Sequence, residues 1–238
     1  MRRPAPPALL LVASVAGCAA MNGVPPSPPP TEAALMTPWL RAVGDAGTIG
    51  HWRLSGEATG AIAGDTDGAL RLDGNEHHLL DAERFGGRVI TVEVWMREGR
   101  GAVLSYATAE HPEAFHIVHD DSLRLTMFGE VRDTGVAVPN EGWHQVAVSW
   151  RAEGGHVAAY LDGELAWEGT LAEGEELPRG GRLELGQVQG CMGGCFLLGY
   201  AGELDELILS DQPIDPGHVA ARAGFRRPDG EPGAGRGG

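Results

Sequence analysis

Lysine is absent from this 238-residue chain, so arginine carries its permanent positive side-chain charge. That charge is outnumbered: 18 Lys+Arg stand against 33 Asp+Glu, a formal net charge of -15. So acidic a surface excludes nucleic-acid binding through the phosphates, while a cationic partner or bound calcium is compatible with it. Long apolar runs are missing too. Residues 8–17 are apolar but too few to span a bilayer, and no long segment has a 3.6-residue hydrophobic period. Several catalytic signatures are absent: there is no Ser-His-Asp ordering, no His-Glu-x-x-His helix and no glycine-rich phosphate loop. Cysteine is scarce, at positions 18, 191 and 195.

What is present begins with an export signal. Arg2 and Arg3 precede the short apolar run, and Val15-Ala16-Gly17-Cys18 resembles the lipobox of bacterial lipoproteins. The resemblance implies a signal peptide over residues 1–17, cleavage before Cys18, lipidation of its thiol, and a membrane anchor facing an extracytoplasmic space. Several acyl chains, at about 0.8 kcal/mol per buried methylene, anchor stably where one does not. Ala19 is not the aspartate of an inner-membrane retention signal, so the outer membrane or cell surface is favoured. Residues 18–47 contain Pro25-Pro26-Ser27-Pro28-Pro29-Pro30, whose fixed φ favours extended polyproline II and a tether. Residues 226–238 are rich in Gly, Pro and Arg and are expected to be disordered.

Between these ends, short stretches of alternating polarity predict an all-β domain over residues 48–212. Ile90, Val92, Val94 and Met96 share one face, against Thr91, Glu93 and Arg97, with Trp95 breaking the polar side. Val146, Val148 and Trp150 repeat the pattern, Glu153-Gly154-Gly155 turns into Val157, Ala159 and Leu161, and Asp162-Gly163 has the tolerance of positive φ that a two-residue hairpin needs. Asp73-Gly74 makes a similar turn. Asp215, Pro216 and Gly224 read as N-cap, N1 and C′ of a short helix within residues 213–225. So many strands in one domain imply an antiparallel two-sheet jelly-roll sandwich.

From His51 to Asp211 the motifs, in order, resemble the laminin-G-like and pentraxin group of concanavalin A-like jelly rolls. The pieces include Leu70-Arg71-Leu72-Asp73-Gly74, Ile90-Thr91-Val92-Glu93-Val94-Trp95, Ser105-Tyr106-Ala107-Thr108, Gly142-Trp143-His144-Gln145-Val146, Tyr160-Leu161-Asp162-Gly163, Leu183-Glu184-Leu185-Gly186-Gln187 and Gly202-Glu203-Leu204-Asp205-Glu206. The resemblance implies a calcium site after the Ser-Tyr-Ala-Thr and Leu-Gly-Gln strands. Carried over, its ligands fall on Pro112 and Glu113, on Val188, Gln189 and Gly190, and near Leu197. Glu113 and Gln189 alone among these offer a side-chain oxygen, so they are the residual calcium candidates, and no cofactor is expected. The disulfide positions of the family fall on Glu93 and Ala147, neither of them cysteine.

With Cys18 acylated, Cys191 and Cys195 are the cysteines left in an oxidising compartment, and Met192-Gly193-Gly194 between them bends enough for a disulfide. The rival is a metal site, which needs further ligands such as His144 or His156. Glu203-Leu204-Asp205-Glu206 resembles the start of a glycosidase strand motif, whose carboxylates share a face about 5 Å apart; Glu206, however, is at an odd offset and faces away unless a bulge intervenes. His77, His78, His116 and His119 read as solvated turn residues. Trp95, Trp143 and Trp167 suit either sugar stacking or core packing.

The expectation is a non-enzymatic recognition or adhesion module, binding glycan or envelope protein through Glu110, Glu113, Gln187, Gln189 and Tyr200. A structural role in envelope assembly is the rival, and a glycoside hydrolase-like enzyme the third reading; oligomeric state stays open. The disulfide is checked by alkylating the mature protein without reductant: Cys191 and Cys195 are expected to stay unmodified, and two alkylated thiols contradict it.

Overall fold

The computed structural model describes residues 48–52, 56–57, 69–189 and 198–224. The signal, Cys18, the proline-rich tether, Cys191, Cys195 and the C-terminal tail lie outside them.

The described residues form β1 (Thr48–Trp52), β2 (Gly56–Glu57), β3 (Leu70–Asp73), β4 (His78–Leu80), β5 (Val89–Ala107), β6 (Phe115–His119), β7 (Leu123–Met127), β8 (Glu130–Asp133), β9 (His144–Arg151), β10 (His156–Leu161), β11 (Glu164–Thr170), β12 (Arg182–Leu185) and β13 (Ala201–Ser210), followed by helix α1 (Pro216–Ala223). No described helix is long and apolar enough to cross a membrane.

The strands make one continuous hydrogen-bonded network that curls into two leaves. The first has the order β11-β10-β9-β5-β13-β3-β2, with β1 also paired to β13. The second joins β4, β12, β5, β6, β7 and β8. Strand β5 belongs to both, because it is 19 residues long, about three times the usual strand. Its first part pairs β9 and β13, and its last part pairs β6 and β12. Between these parts Glu98 and Gly101 take positive φ, 52° and 113°, and turn the strand from one leaf into the other.

Alternation along β5 sends Ile90, Val92, Val94 and Met96 inward, where they join Val146, Val148 and Trp150 and meet Phe115, Ile117, Leu125 and Met127 of the second leaf. Two polar atoms that enter this core are satisfied there: Trp150 Nε1 donates to the Leu171 carbonyl at 2.7 Å, and the Tyr106 hydroxyl donates to the Pro178 carbonyl at 2.7 Å.

The outer face of the first leaf is not solvated, although its sequence is polar. Helix α1 packs there, with Val219 against Ala147, Ala158 and Tyr160. Asp215 caps it by accepting from the His218 amide at 2.8 Å, as its sequence predicts. Gly224 closes it with φ -80°, so the left-handed conformation expected of a C′ glycine is not used. Glycine is needed instead at Gly163 of the β10–β11 turn, where an added Cβ would lie 2.7 Å from the Ala220 Cα.

One ion pair binds helix to sheet. Arg222 grips Glu93 with both Nε, at 2.7 Å, and Nη2, and Gln145 donates to the same carboxylate at 3.2 Å. Both charges are buried, so each depends on the other for the solvation it has lost. Beside them, Asp162 accepts from the Gln145 amide at 3.0 Å and pairs with His144 Nδ1 at 2.8 Å; that hydrogen bond holds the His144 imidazole above its ordinary pKa, against burial. Arg222→Ala strands a buried carboxylate and is expected to destabilise the domain by about 3 kcal/mol, read as a lower urea midpoint with the strand circular dichroism retained.

Candidate functional site

Register across the second leaf sets six side chains in one outward row: Leu79, Glu184, Ser105, His116, Thr126 and Val131 are successive cross-strand partners. The ends of the row are exposed, Leu79 at 57% and Val131 at 54%. Its centre is not: Glu184, Ser105 and His116 are buried.

The segment after β12 lies over this centre. The Gln189 amide N–H donates to Ser105 Oγ at 3.1 Å, and its Nε2 reaches the Ser105 carbonyl at 3.0 Å and the Arg182 carbonyl at 2.9 Å. Arg182 also pairs with the Glu184 carboxylate, which accepts from Gln187 Nε2. Gln187 and Gln189 are therefore brought to one place, with their amide nitrogens donating to the sheet.

Glu113 is exposed, its carbonyl accepting from Gly129 at 3.2 Å. Its charge partly offsets the burial that lowers the His116 pKa. Glu110 is exposed in the turn where the Thr108 amide donates to the His111 carbonyl at 3.0 Å. Calcium takes six to eight oxygens, usually including several carboxylates. Here Gln189 offers the sheet its nitrogen, Glu113 is a lone carboxylate, and among the described residues no group of three or more His, Cys, Asp or Glu is placed to hold a metal. The donors among the described residues do not fit calcium.

Tyr200 is not at a ligand surface. It is 0% exposed, its hydroxyl lies 3.5 Å from the Glu203 carbonyl, and burial raises its pKa far above the ordinary phenol. The ring packs so tightly on the β5 bend that a Cβ at Gly99 would lie 1.6 Å from its hydroxyl.

A cleft of about 300 Å³ opens where the β3–β4 turn, the exit of β12 and the entry to β13 meet, lined by Gly74, Asn75, Glu76, Gly186, Gln187 and Gly199. Glycines bring the three segments together: a Cβ on Gly199 would stand 1.7 Å from the Gly74 carbonyl oxygen. Asn75 is set by its own amide, which donates to Asp73 Oδ1 at 2.9 Å. Of the predicted site residues Gln187 lines this cleft; Asn75 and Glu76 were missed. The Asp73-Gly74 turn was legible, but no local signal tells that it abuts Gly199.

Other expectations need correction. His78, His116 and His119 are buried, not solvated: His78 shares the inward side of β4 with Leu80, and every residue of β6 is buried; His77 alone of the four is exposed. His119 Nδ1 donates to the Gly99 carbonyl at 2.7 Å. Burial lowers the pKa of His78 and of His116. Trp95 and Trp143 are buried, Trp143 beneath the Arg97 guanidinium at 4.7 Å, whereas Trp167 is half-buried. The bulge that would change the facing of Glu206 does exist: the register of β13 against β5 shifts between Asp205 and Ile208, and Glu206 has φ 48°. Spacing therefore does not separate these carboxylates. Burial does remove them from substrate, since Asp205 and Glu206 are each 2% exposed and Asp205 Oδ1 is taken by the Glu206 amide at 2.8 Å.

The two leaves, the outer helix and the polar loops at one end define a lectin-like jelly roll. A family model of the concanavalin A-like lectin/glucanases superfamily matches residues 72–220, and the chain belongs to that superfamily. Among its relatives is the Sushi, von Willebrand factor type A, EGF and pentraxin domain-containing protein 1 of Rattus norvegicus, 32% identical over 154 residues, covering 61% of this chain and 4% of that protein. The chain thus corresponds to a small part of that relative's length. Of solved structures, the heptameric SAP-like pentraxin from Limulus polyphemus is similar with a TM-score of 0.52 and 20% identity, over 64% of this chain and 80% of that one. Domain 4 of AbnA, an extracellular arabinanase from Geobacillus stearothermophilus solved with arabinotriose, gives a TM-score of 0.56 and 17% identity, over 75% and 98%. Both are likenesses of fold.

Ser105 ties the covering segment to the sheet, so Ser105→Ala is expected to cost about 1–3 kcal/mol by leaving the Gln189 amide without its acceptor. Chemical denaturation measures the loss, and an unchanged midpoint contradicts the assignment.

Proposed function

We propose that this protein is a non-enzymatic recognition domain that binds glycan at the cell envelope through the cleft between the β3–β4 turn and Gln187, and that lipid on Cys18 holds it to the membrane. The observation that carries the reading is the cleft itself. Its size falls at the lower end of ligand pockets, about 300–1,000 Å³, and it is lined by two amides and one carboxylate on a floor of glycine backbone. Side-chain amides and carboxylates hydrogen-bond vicinal hydroxyls, and bare backbone lets a sugar ring approach closely. The likeness of fold to an arabinanase domain solved with arabinotriose is consistent with this use. Burial of Asp205 and Glu206 argues against hydrolysis, and the lipobox-like Val15-Ala16-Gly17-Cys18 supports the anchor.

A glycan array probed with and without chelator tests the reading. Binding of an oligosaccharide is expected to persist in chelator, because the donors do not suit calcium, and to be lost in Gln187→Ala. Silence under both conditions rejects it in favour of protein assembly. Fractionation tests the anchor: Cys18→Ala is expected to move the protein from the membrane to the soluble fraction.

A further inference from the structure

The polar atoms that the cleft leaves for a ligand are mostly acceptors. Gln187 gives one of its two amide hydrogens to Glu184 and keeps Oε1 as an acceptor. Glu76 is the one formally charged residue among the described lining residues. Asp73, in the same turn, adds a second carboxylate beside it, one oxygen of which holds the Asn75 amide. Among the described residues no arginine lines the cleft. The basic residues that follow Glu76 directly in sequence are His77 and His78; burial disfavours the charged form of His78, and His77 is exposed. Arg182, the guanidinium closest in sequence to Gln187, is engaged with Glu184.

A ligand for such a site must bring hydrogens. Anionic groups, whether carboxylate, sulfate or phosphate, would meet the Glu76 carboxylate and the Gln187 oxygen with no cation to bridge them, at a cost that a partly enclosed site does little to screen. Neutral hydroxyls satisfy acceptors one at a time. An ammonium supplies three donors and a charge opposite to Glu76, and charge-assisted hydrogen bonds are about twice as strong as neutral ones.

Resting on the glycan reading above, we infer that the cleft selects saccharides carrying a free amino group, with Glu76 as the residue that determines the selection and without a divalent cation. Specificity arises here from what is rejected as much as from what is held. The excess of acid over base in the whole chain acts in the same sense, drawing cationic oligosaccharides toward the surface.

Isothermal titration of the full chain with three probes tests this below neutral pH, where a sugar amine is protonated: a trimer of glucosamine, the N-acetylated trimer of the same linkage, and sialyllactose. The glucosamine trimer is expected to bind about tenfold more tightly than its acetylated counterpart, sialyllactose not measurably, and chelator to change neither. Glu76→Gln is expected to erase the preference, bringing the two trimers to equal affinity, with the circular dichroism unchanged. Equal binding of the two trimers, tighter binding of sialyllactose, or a preference that survives Glu76→Gln overturns the inference and leaves glycan recognition standing. Silence with all three overturns it as well, and the wider array then decides the broader reading.

Discussion

Three glycine backbones in contact hold the two leaves in register. Strand β5 has to leave one leaf and enter the other, and at its bend a side chain on Gly101 would lie 2.2 Å from the carbonyl oxygen of Gly199, which itself sits against Gly74. The bend is closed by hydrogen bonds across the same point, from the Ala102 amide to the Leu198 carbonyl at 2.8 Å and from the Tyr200 amide to the Gly186 carbonyl at 2.8 Å. Tyr200 then fills the space beneath the bend. The cleft exists because these backbones meet with no side chains between them, and its floor is the surface they leave. Any Cβ inserted at Gly199 would force β13 away from the β3–β4 turn, opening the core and the cleft together.

The opposite face of the first leaf is governed by charge. Glu93 and Ala147 are direct cross-strand partners on β5 and β9, and these are the positions where the pentraxin resemblance implies a disulfide. The register thus agrees with the alignment, while the chemistry differs: Glu93 turns to Arg222 of α1 instead of across the strand pair. A covalent tie between two strands that are already hydrogen-bonded gives way to an ionic tie that attaches the last helix.

Much of the fold was legible because its signals are local. Alternation marked β5, β9 and β10, Asp162-Gly163 marked the hairpin, and Asp215-Pro216 marked the start of α1. Burial was misjudged where a covering element lies far along the chain. Thr91 and Glu93 look like a solvated face until α1 is placed on it, and His116 and His119 look like turn residues until β5 and β7 flank their strand. Half of the cleft was legible for the same reason: Gln187 belongs to a motif, whereas Asn75 and Glu76 matter only because a turn more than a hundred residues earlier is pressed against it. Tyr200, adjacent to a loop in sequence, reads as a loop residue, but its backbone conformation carries it inward. The bulge at Glu206 follows from a register shift with no residue signature of its own.

The polarity of β13 sets how the molecule would carry a load. Its first residues, Ala201 and Gly202, pair with Asp73 and Leu72 beside the cleft, and its last, Ser210, pairs with Thr48 of β1. The strand has 10 residues, so these ends are about 30 Å apart. The start of β1 and the cleft therefore lie at opposite ends of β13. A force applied between Thr48 and the cleft would run along the strand axes, loading the hydrogen bonds between β1 and β13 side by side in shear instead of peeling them apart one at a time.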